Sequence, residues 1–132
     1  VVTFVGTPDE VVEAAFQAVR KAQELIDMRG HKGDHPRFGA TDVCPLVPVS
    51  GITMEETAEY ARKLGQRLGE ELGIPIYLYE NAAASETRRN LANCREGEYE
   101  GLKDRIGSAE WRPDFGPAEF TESVARSGAT AV

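Results

Sequence analysis

The chain reads as an α/β protein. Strand-length runs rich in β-branched and aromatic residues alternate with helix-length segments in the order strand, helix, strand, helix, strand. Each helix-length segment repeats its apolar residues at three- and four-residue spacing. Each is also bracketed by capping and stopping residues. An alternation of this kind packs helices on one or both faces of a sheet.

The elements follow in order. Val1 to Gly6 is a β-branched, aromatic run short enough for a strand. Thr7-Pro8-Asp9-Glu10 then opens a helix: Thr7 caps, Pro8 suits the first helical position and Glu10 can reach back as a capping-box acid. Val12, Ala15, Phe16, Val19, Ala22 and Ile26 give it an apolar stripe to about Met28, and Gly30 ends it. Cys44 to Val49 is a second apolar run. Its prolines, Pro45 and Pro48, lack the N–H a ladder needs, so an edge or irregular strand is expected. Thr53-Met54-Glu55-Glu56 repeats the capping signal ahead of Ala58, Ala61, Leu64, Leu68 and Leu72, and Gly73 closes that helix. Pro75 to Glu80 is the third strand, with Tyr77 and Tyr79 on one face and Ile76 and Leu78 on the other. Beyond it, Ser85 to Cys94 and Glu98 to Ile106 read as short helices, and Trp111 to Phe120 as a Pro/Gly-punctuated loop.

At 132 residues and 41% hydrophobic, the chain is one domain or part of one and can bury a core. Its 22 acidic and 15 basic residues give a formal charge of −7, which opposes general nucleic-acid binding. The two cysteines, Cys44 and Cys94, form no ligand-spacing motif and read as reduced thiols. No apolar run reaches the roughly 20 residues of a membrane span and no secretory segment opens the chain, so a cytoplasmic protein is the expectation. The start at Val1, without Met, and the stop at Val132 read as those of an excised domain.

The richest stretch in chemistry runs from His31 to Pro45. Between His31 and Asp42 it holds both histidines of the chain, the cations Lys32 and Arg37, the acids Asp34 and Asp42, and Gly33, Pro36 and Gly39. Histidine is the side chain that both takes and returns a proton near neutrality. Asp34 and Arg37 flank His35, and Pro36 restricts the backbone beside it. This suits one fixed proton shuttle with an anion-binding neighbour; a surface loop with only local hydrogen bonds is the plainer alternative. His31, Asp34, His35 and Asp42 are also legitimate metal ligands, but their spacing matches no named zinc pattern, so no metal is expected. Thr87-Arg88-Arg89-Asn90 with Arg95 is a basic patch, either a solvated helix face or a grip for substrate carboxylates. Trp111 to Pro117 either lines a flat heterocycle or is a loop pinned by a buried Trp.

The stretch His31-Lys32-Gly33-Asp34-His35-Pro36-Arg37-Phe38-Gly39-Ala40-Thr41-Asp42-Val43-Cys44-Pro45 resembles a signature of the glutamate formiminotransferases. The likeness continues in Gly65 to Leu68, Glu70 to Leu72, Pro75 to Tyr79, Arg95 to Glu100, Trp111 to Pro117 and Gly128 to Thr130. It implies a ferredoxin-like β-α-β subdomain with helices on one face of a mixed sheet. Residues 1–132 would be most of the N-terminal subdomain, lacking its opening segment and the whole second subdomain. It further implies transfer of a formimino group from N-formimino-L-glutamate to N5 of tetrahydrofolate, a co-substrate, in histidine degradation and one-carbon metabolism. By the same resemblance His35 is the catalytic acid/base, and Gly116, Pro117, Phe120 and Gly128 bind folate. Relative to the family pattern there is a small insertion between Phe120 and Gly128, so no contact is carried onto Glu122 to Ser127.

The partners implied are small molecules, with no nucleic acid and no membrane, and a homodimer is left open. Local cations such as Arg37, Arg88 and Arg89 are candidates to steer the glutamate tails. Three alternatives stay open: formyl transfer from N-formylglutamate, a folate-binding module without turnover, and a metal-dependent hydrolase on the same loop.

Overall fold

The computed structural model describes all residues, Val1 to Val132. Helix α1 spans Pro8–Leu25 and α2 spans Met54–Leu72. Strand β1 is Ile76–Tyr77, followed by the short helices α3 (Glu86–Arg89), α4 (Leu91–Cys94), α5 (Glu98–Arg105) and α6 (Glu122–Ser127). Strand β2 is Thr130–Ala131.

The capping residues act as their chemistry requires. The Thr7 amide and hydroxyl both donate to the Glu10 carboxylate, and the Thr53 hydroxyl accepts from the Glu56 amide. Gly73 ends α2 in the left-handed region at φ 65°, where a side chain would be strained. Helix α1 stops at Leu25, short of Met28. Asp27 caps a separate turn of 3₁₀ helix over Met28–Gly30, because its carboxylate accepts from the Arg29 amide and the chain bends there.

The sheet is small and mixed. Strands β1 and β2 pair in parallel, Ile76 with Thr130 and Tyr77 with Ala131. Val43 pairs in parallel on the other side of Ala131, and Phe115 pairs antiparallel with Ile76. The order across the sheet is therefore 43, 131, 76, 115. The run from Cys44 to Val49 is irregular beyond its first residue: the Cys44 amide donates to Ala131 at 2.8 Å, after which Pro45 and Pro48 break the ladder. The strand expected over Val1 to Gly6 does not form. A strand needs a ladder partner, and this run has none; Val1, Val2, Phe4 and Val5 are exposed.

Side-chain alternation along Ile76 to Tyr79 sorts two cores. Ile76 and Leu78 pack with Val12, Phe16 and Val19 of α1 and with Ala61, Leu64 and Leu68 of α2. Burying a side chain such as Leu64 or Leu68, both fully enclosed, stabilises the fold by about 1.5–3 kcal/mol. Arg67 of α2 lies over the Phe16 ring at 3.9 Å and pairs with Glu13 at 2.8 Å, closing the seam between the two long helices. Tyr77 faces the other way, onto Phe38, Cys94, Leu102, Ile106 and Val124. Helices thus cover both faces, the long pair on one and α4 to α6 on the other, rather than one face alone. Tyr77, being aromatic and fully buried, needs a cover that short helices can supply.

Candidate active site

The loop from His31 to Pro36 is exposed throughout and runs between two anchored ends. At its far end Phe38 is buried, and the Asp42 carboxylate accepts from the Phe38 amide at 3.0 Å and from Arg95 at 2.5 Å. The Thr41 carbonyl accepts from the Thr130 hydroxyl at 2.7 Å, and the Asp42 carbonyl from the Ala131 amide at 3.0 Å. These bonds weld the loop's exit to the sheet edge.

His35 sits on the exposed part. Its Nδ1 lies 2.6 Å from the Pro36 carbonyl oxygen. A carbonyl can only accept, so Nδ1 carries the proton in that contact, and in the neutral ring Nε2 then holds its lone pair toward solvent. This tautomer presents a base. Burial pushes the thiols of Cys44 and Cys94 up to about 11, so neither is a thiolate near neutrality and nucleophilic catalysis by cysteine has no candidate here.

Arg37 is not a free anion grip. Its guanidinium holds both oxygens of Glu100, at 2.7 and 2.9 Å, lies 3.6 Å from Glu98 and donates to the His31 carbonyl at 3.1 Å. That forked contact draws the Glu100 carboxyl down to about 2. Arg88 is committed as well. It is 9% exposed, pairs with Asp114 at 3.0 Å, donates to the carbonyls of Glu110 and Arg112, and lies near the rings of Tyr77 and Trp111. Asp114 also accepts from the Leu78 amide at 2.8 Å. The basic patch is thus partly interior scaffold, with Arg88 turned inward onto Asp114 and two main-chain carbonyls. The Trp111 loop is tied down through its main chain while its indole is only half-buried: the Trp111 carbonyl accepts from the Tyr77 hydroxyl at 2.7 Å, and Arg105 lies 4.2 Å over the indole.

Of the residues assigned to folate, two join the histidine loop. Gly128 pairs with Gly39, and the Ala129 amide donates to the Phe38 carbonyl at 2.9 Å. Phe120 packs its ring on Tyr99, centroids 6.2 Å apart, and the Tyr99 amide donates to the Arg37 carbonyl at 2.9 Å. Gly116 and Pro117 do not join them; Gly116 lies against Ile74 at the opposite edge of the sheet. Both glycines have a packing reason of their own. A Cβ on Gly116 would stand 2.2 Å from the Ile74 oxygen, and one on Gly128 2.2 Å from the Phe38 oxygen. Helix α6 occupies the stretch from Glu122 to Ser127, and Thr121 caps it by accepting from the Val124 amide at 3.3 Å.

His31, Asp34, His35 and Asp42 do not converge: no group of three or more such side chains is placed to hold an ion. Two concavities lie elsewhere. One, of about 540 Å³, is walled by Glu55, Glu56, Glu59 and Arg62 of α2; the other, of about 300 Å³, runs between Pro45–Pro48, Tyr79 and α2. No helix is long and apolar enough to cross a membrane. The residues that reading the sequence passed over are Glu98, Tyr99 and Glu100, which meet Arg37 from the start of α5. Their signal was an acid-aromatic-acid triplet behind Gly97, itself in the left-handed region at φ 79°.

The comparisons bear on this arrangement. Residues 1–132 match the family described as formiminotransferase domain, N-terminal subdomain. The chain is 58% identical over 130 residues to formimidoyltransferase-cyclodeaminase of Gallus gallus, covering 98% of this chain and 24% of that protein. It is 46% identical over 132 residues to glutamate formimidoyltransferase of Streptococcus pyogenes serotype M1, and 47% over 134 residues to that of Thermoplasma acidophilum, each match covering 100% of this chain and 43% of the relative. The chain therefore spans less than half the length of these curated relatives, and over the whole of that span it belongs to the formiminotransferase family, as its N-terminal subdomain.

Proposed function

We propose that this chain supplies the proton-transfer part of a formimino transfer from N-formimino-L-glutamate to N5 of tetrahydrofolate, with His35 as general acid/base. The observation that carries the reading is the identity of 46% or more, over the whole chain, to proteins named glutamate formimidoyltransferase. The exposed His35 ring, with Nδ1 held by the Pro36 carbonyl, supports it. The histidine-degradation and one-carbon setting, and the ferredoxin-like arrangement of the fuller domain, belong to the same reading.

The chemistry balances without further reagents. N5 attacks the amidine carbon of the donor and forms a C–N bond, giving a tetrahedral intermediate. The Nε2 lone pair of His35 accepts the proton that N5 loses. The same proton passes to the glutamate nitrogen as the old C–N bond breaks, releasing glutamate and 5-formiminotetrahydrofolate. A positioned proton transfer of this kind contributes about 10²- to 10⁴-fold in rate, and holding two substrates together contributes more. Phe120 and Gly128 are the folate-side residues nearest this loop in the fold; Gly116 and Pro117 would meet a ligand only from the opposite edge.

The test is a product assay with tetrahydrofolate and either formiminoglutamate or formylglutamate, on the wild-type chain and on His35→Ala. Transfer from formiminoglutamate that disappears in the variant is the expected result. Use of formylglutamate instead would change the donor. Wild-type rates in His35→Ala would remove the role given to the ring.

A further inference from the structure

We propose that Arg37 is a positioning residue that holds the His31–His35 loop closed on the start of α5. The Glu98-Tyr99-Glu100 turn is then the joint between this loop and the Phe120–Ala125 segment. The inference rests on the reading of His35 as the proton-transfer group.

The loop has little else to hold it. From Lys32 to Pro36 no backbone amide makes a hydrogen bond, and the one side-chain bond there is that of His35 to its neighbour's carbonyl. Closure comes from Arg37, whose guanidinium reaches back six residues to the His31 carbonyl at 3.1 Å. A long cationic side chain would wander unless it were fixed from the other side. Glu100 fixes it with two parallel bonds, and Glu98 adds a second acid at 3.6 Å. The Arg37 side chain is only 16% exposed as a result, and most of its donors are already used.

The backbone joins in the same contact. The Arg37 amide donates to the Glu98 carboxylate at 3.2 Å, and its carbonyl accepts from the Tyr99 amide at 2.9 Å. Glu98 adopts φ 57°, a conformation that residues with a side chain rarely take and that marks a spot whose surroundings demand it. What is demanded here is a sharp entry into α5 that turns an acid on each side of Tyr99 toward Arg37. Tyr99 continues the chain of contacts: its hydroxyl donates to the Ala125 carbonyl in α6 and its ring packs on Phe120. One turn therefore touches both the His35 loop and Phe120, which the family resemblance implies for the co-substrate.

Limited proteolysis and kinetics test this on the 132-residue chain. Trypsin cleavage after Lys32, followed by mass spectrometry, reads loop opening. Arg37→Gln and Glu100→Gln should each speed that cleavage about tenfold, with Arg37→Lys in between, because an ammonium keeps the charge and loses the fork. Cleavage after Lys63, inside α2, should not change. In the transfer assay Arg37→Gln should lower kcat by about 10- to 100-fold with KM for both substrates within about twofold. Unchanged cleavage after Lys32 in both Gln variants would overturn the inference, as would an equal rise after Lys63. A KM increase with kcat intact would also overturn it, by making Arg37 a substrate grip. Transfer that survives His35→Ala would defeat the reading of His35 instead, and the cleavage rates would still report on the loop.

Discussion

Two neighbouring regions of this protein are held in opposite ways. Where Gly39 meets Gly128, main chains approach so closely that a Cβ on Gly39 would stand 1.9 Å from the Ala129 oxygen. A few residues earlier, from His31 to Pro36, the chain is exposed and is held through side-chain charge. The first region is held mainly by main-chain hydrogen bonds, such as those from the Ala129 amide to Phe38 and from the Ala40 amide to Ser127, around glycines that leave no room for a side chain. The second is fixed by ion pairs, which respond to salt and pH. The contrast places an adjustable loop, carrying both histidines of the chain, on a firm base.

The comparison can be broken from either side, and the expected effects on stability run from large to small. Gly128→Ala should be the most damaging. It strains a position at φ 65° and drives a methyl into the Phe38 carbonyl, so a loss of about 3 kcal/mol is expected in urea unfolding. Asp114→Asn comes next. It weakens a buried pair with Arg88 and the bond to the Leu78 amide, and should remove about 2 kcal/mol in the same measurement.

Acid should loosen the loop without unfolding the base. Glu100 is drawn from 4.5 to about 2, chiefly by the hydrogen bonds from Arg37 and then by its own backbone amide, with Lys32 adding a little. A carboxyl lowered on folding contributes above its unfolded value and is lost as pH falls through its folded one. The Tyr99 amide resonance, followed by NMR, should therefore shift as pH falls from 4.5 toward 2, and Arg37→Gln should move that midpoint upward. A resonance that ignores this range would show that Glu100 does not secure the contact. Last is His35→Ala, which touches only an exposed ring: stability should stay within about 0.5 kcal/mol, while transfer, if His35 is its proton shuttle, falls by about 10²- to 10⁴-fold.

Much of the scaffold was readable in the residues. Thr7, Thr53 and Gly73 announce the bounds of the long helices because capping chemistry is local, and the alternation of Ile76, Tyr77, Leu78 and Tyr79 predicts two faces that the cores do occupy. What escaped was whatever depends on a distant partner. Val1 to Gly6 has the composition of a strand and no neighbour to pair with. The apolar content of α6 is too small to announce a helix, although Thr121 is a fair cap, and its Val124 is buried in a cluster whose other members, such as Phe38, Tyr77 and Leu102, come from distant parts of the chain. The fate of the cations was equally hidden. Nothing local says that Arg88 turns inward to Asp114, or that Arg37 finds Glu100 across 63 positions of sequence. The site was legible as a set of proton carriers and not as a network.

The pairing of β2 between Val43 and Tyr77 also sets an order of assembly. Helices α1 and α2 are close in sequence and can pack early, at little loop-closure entropy. The sheet joins positions near 43, 76 and 131, so of these three segments β2 leaves the ribosome after the two it pairs with. Until then both flanking segments wait with their ladder groups open to water or to a chaperone. The slow step in maturation should be this late insertion rather than helix formation.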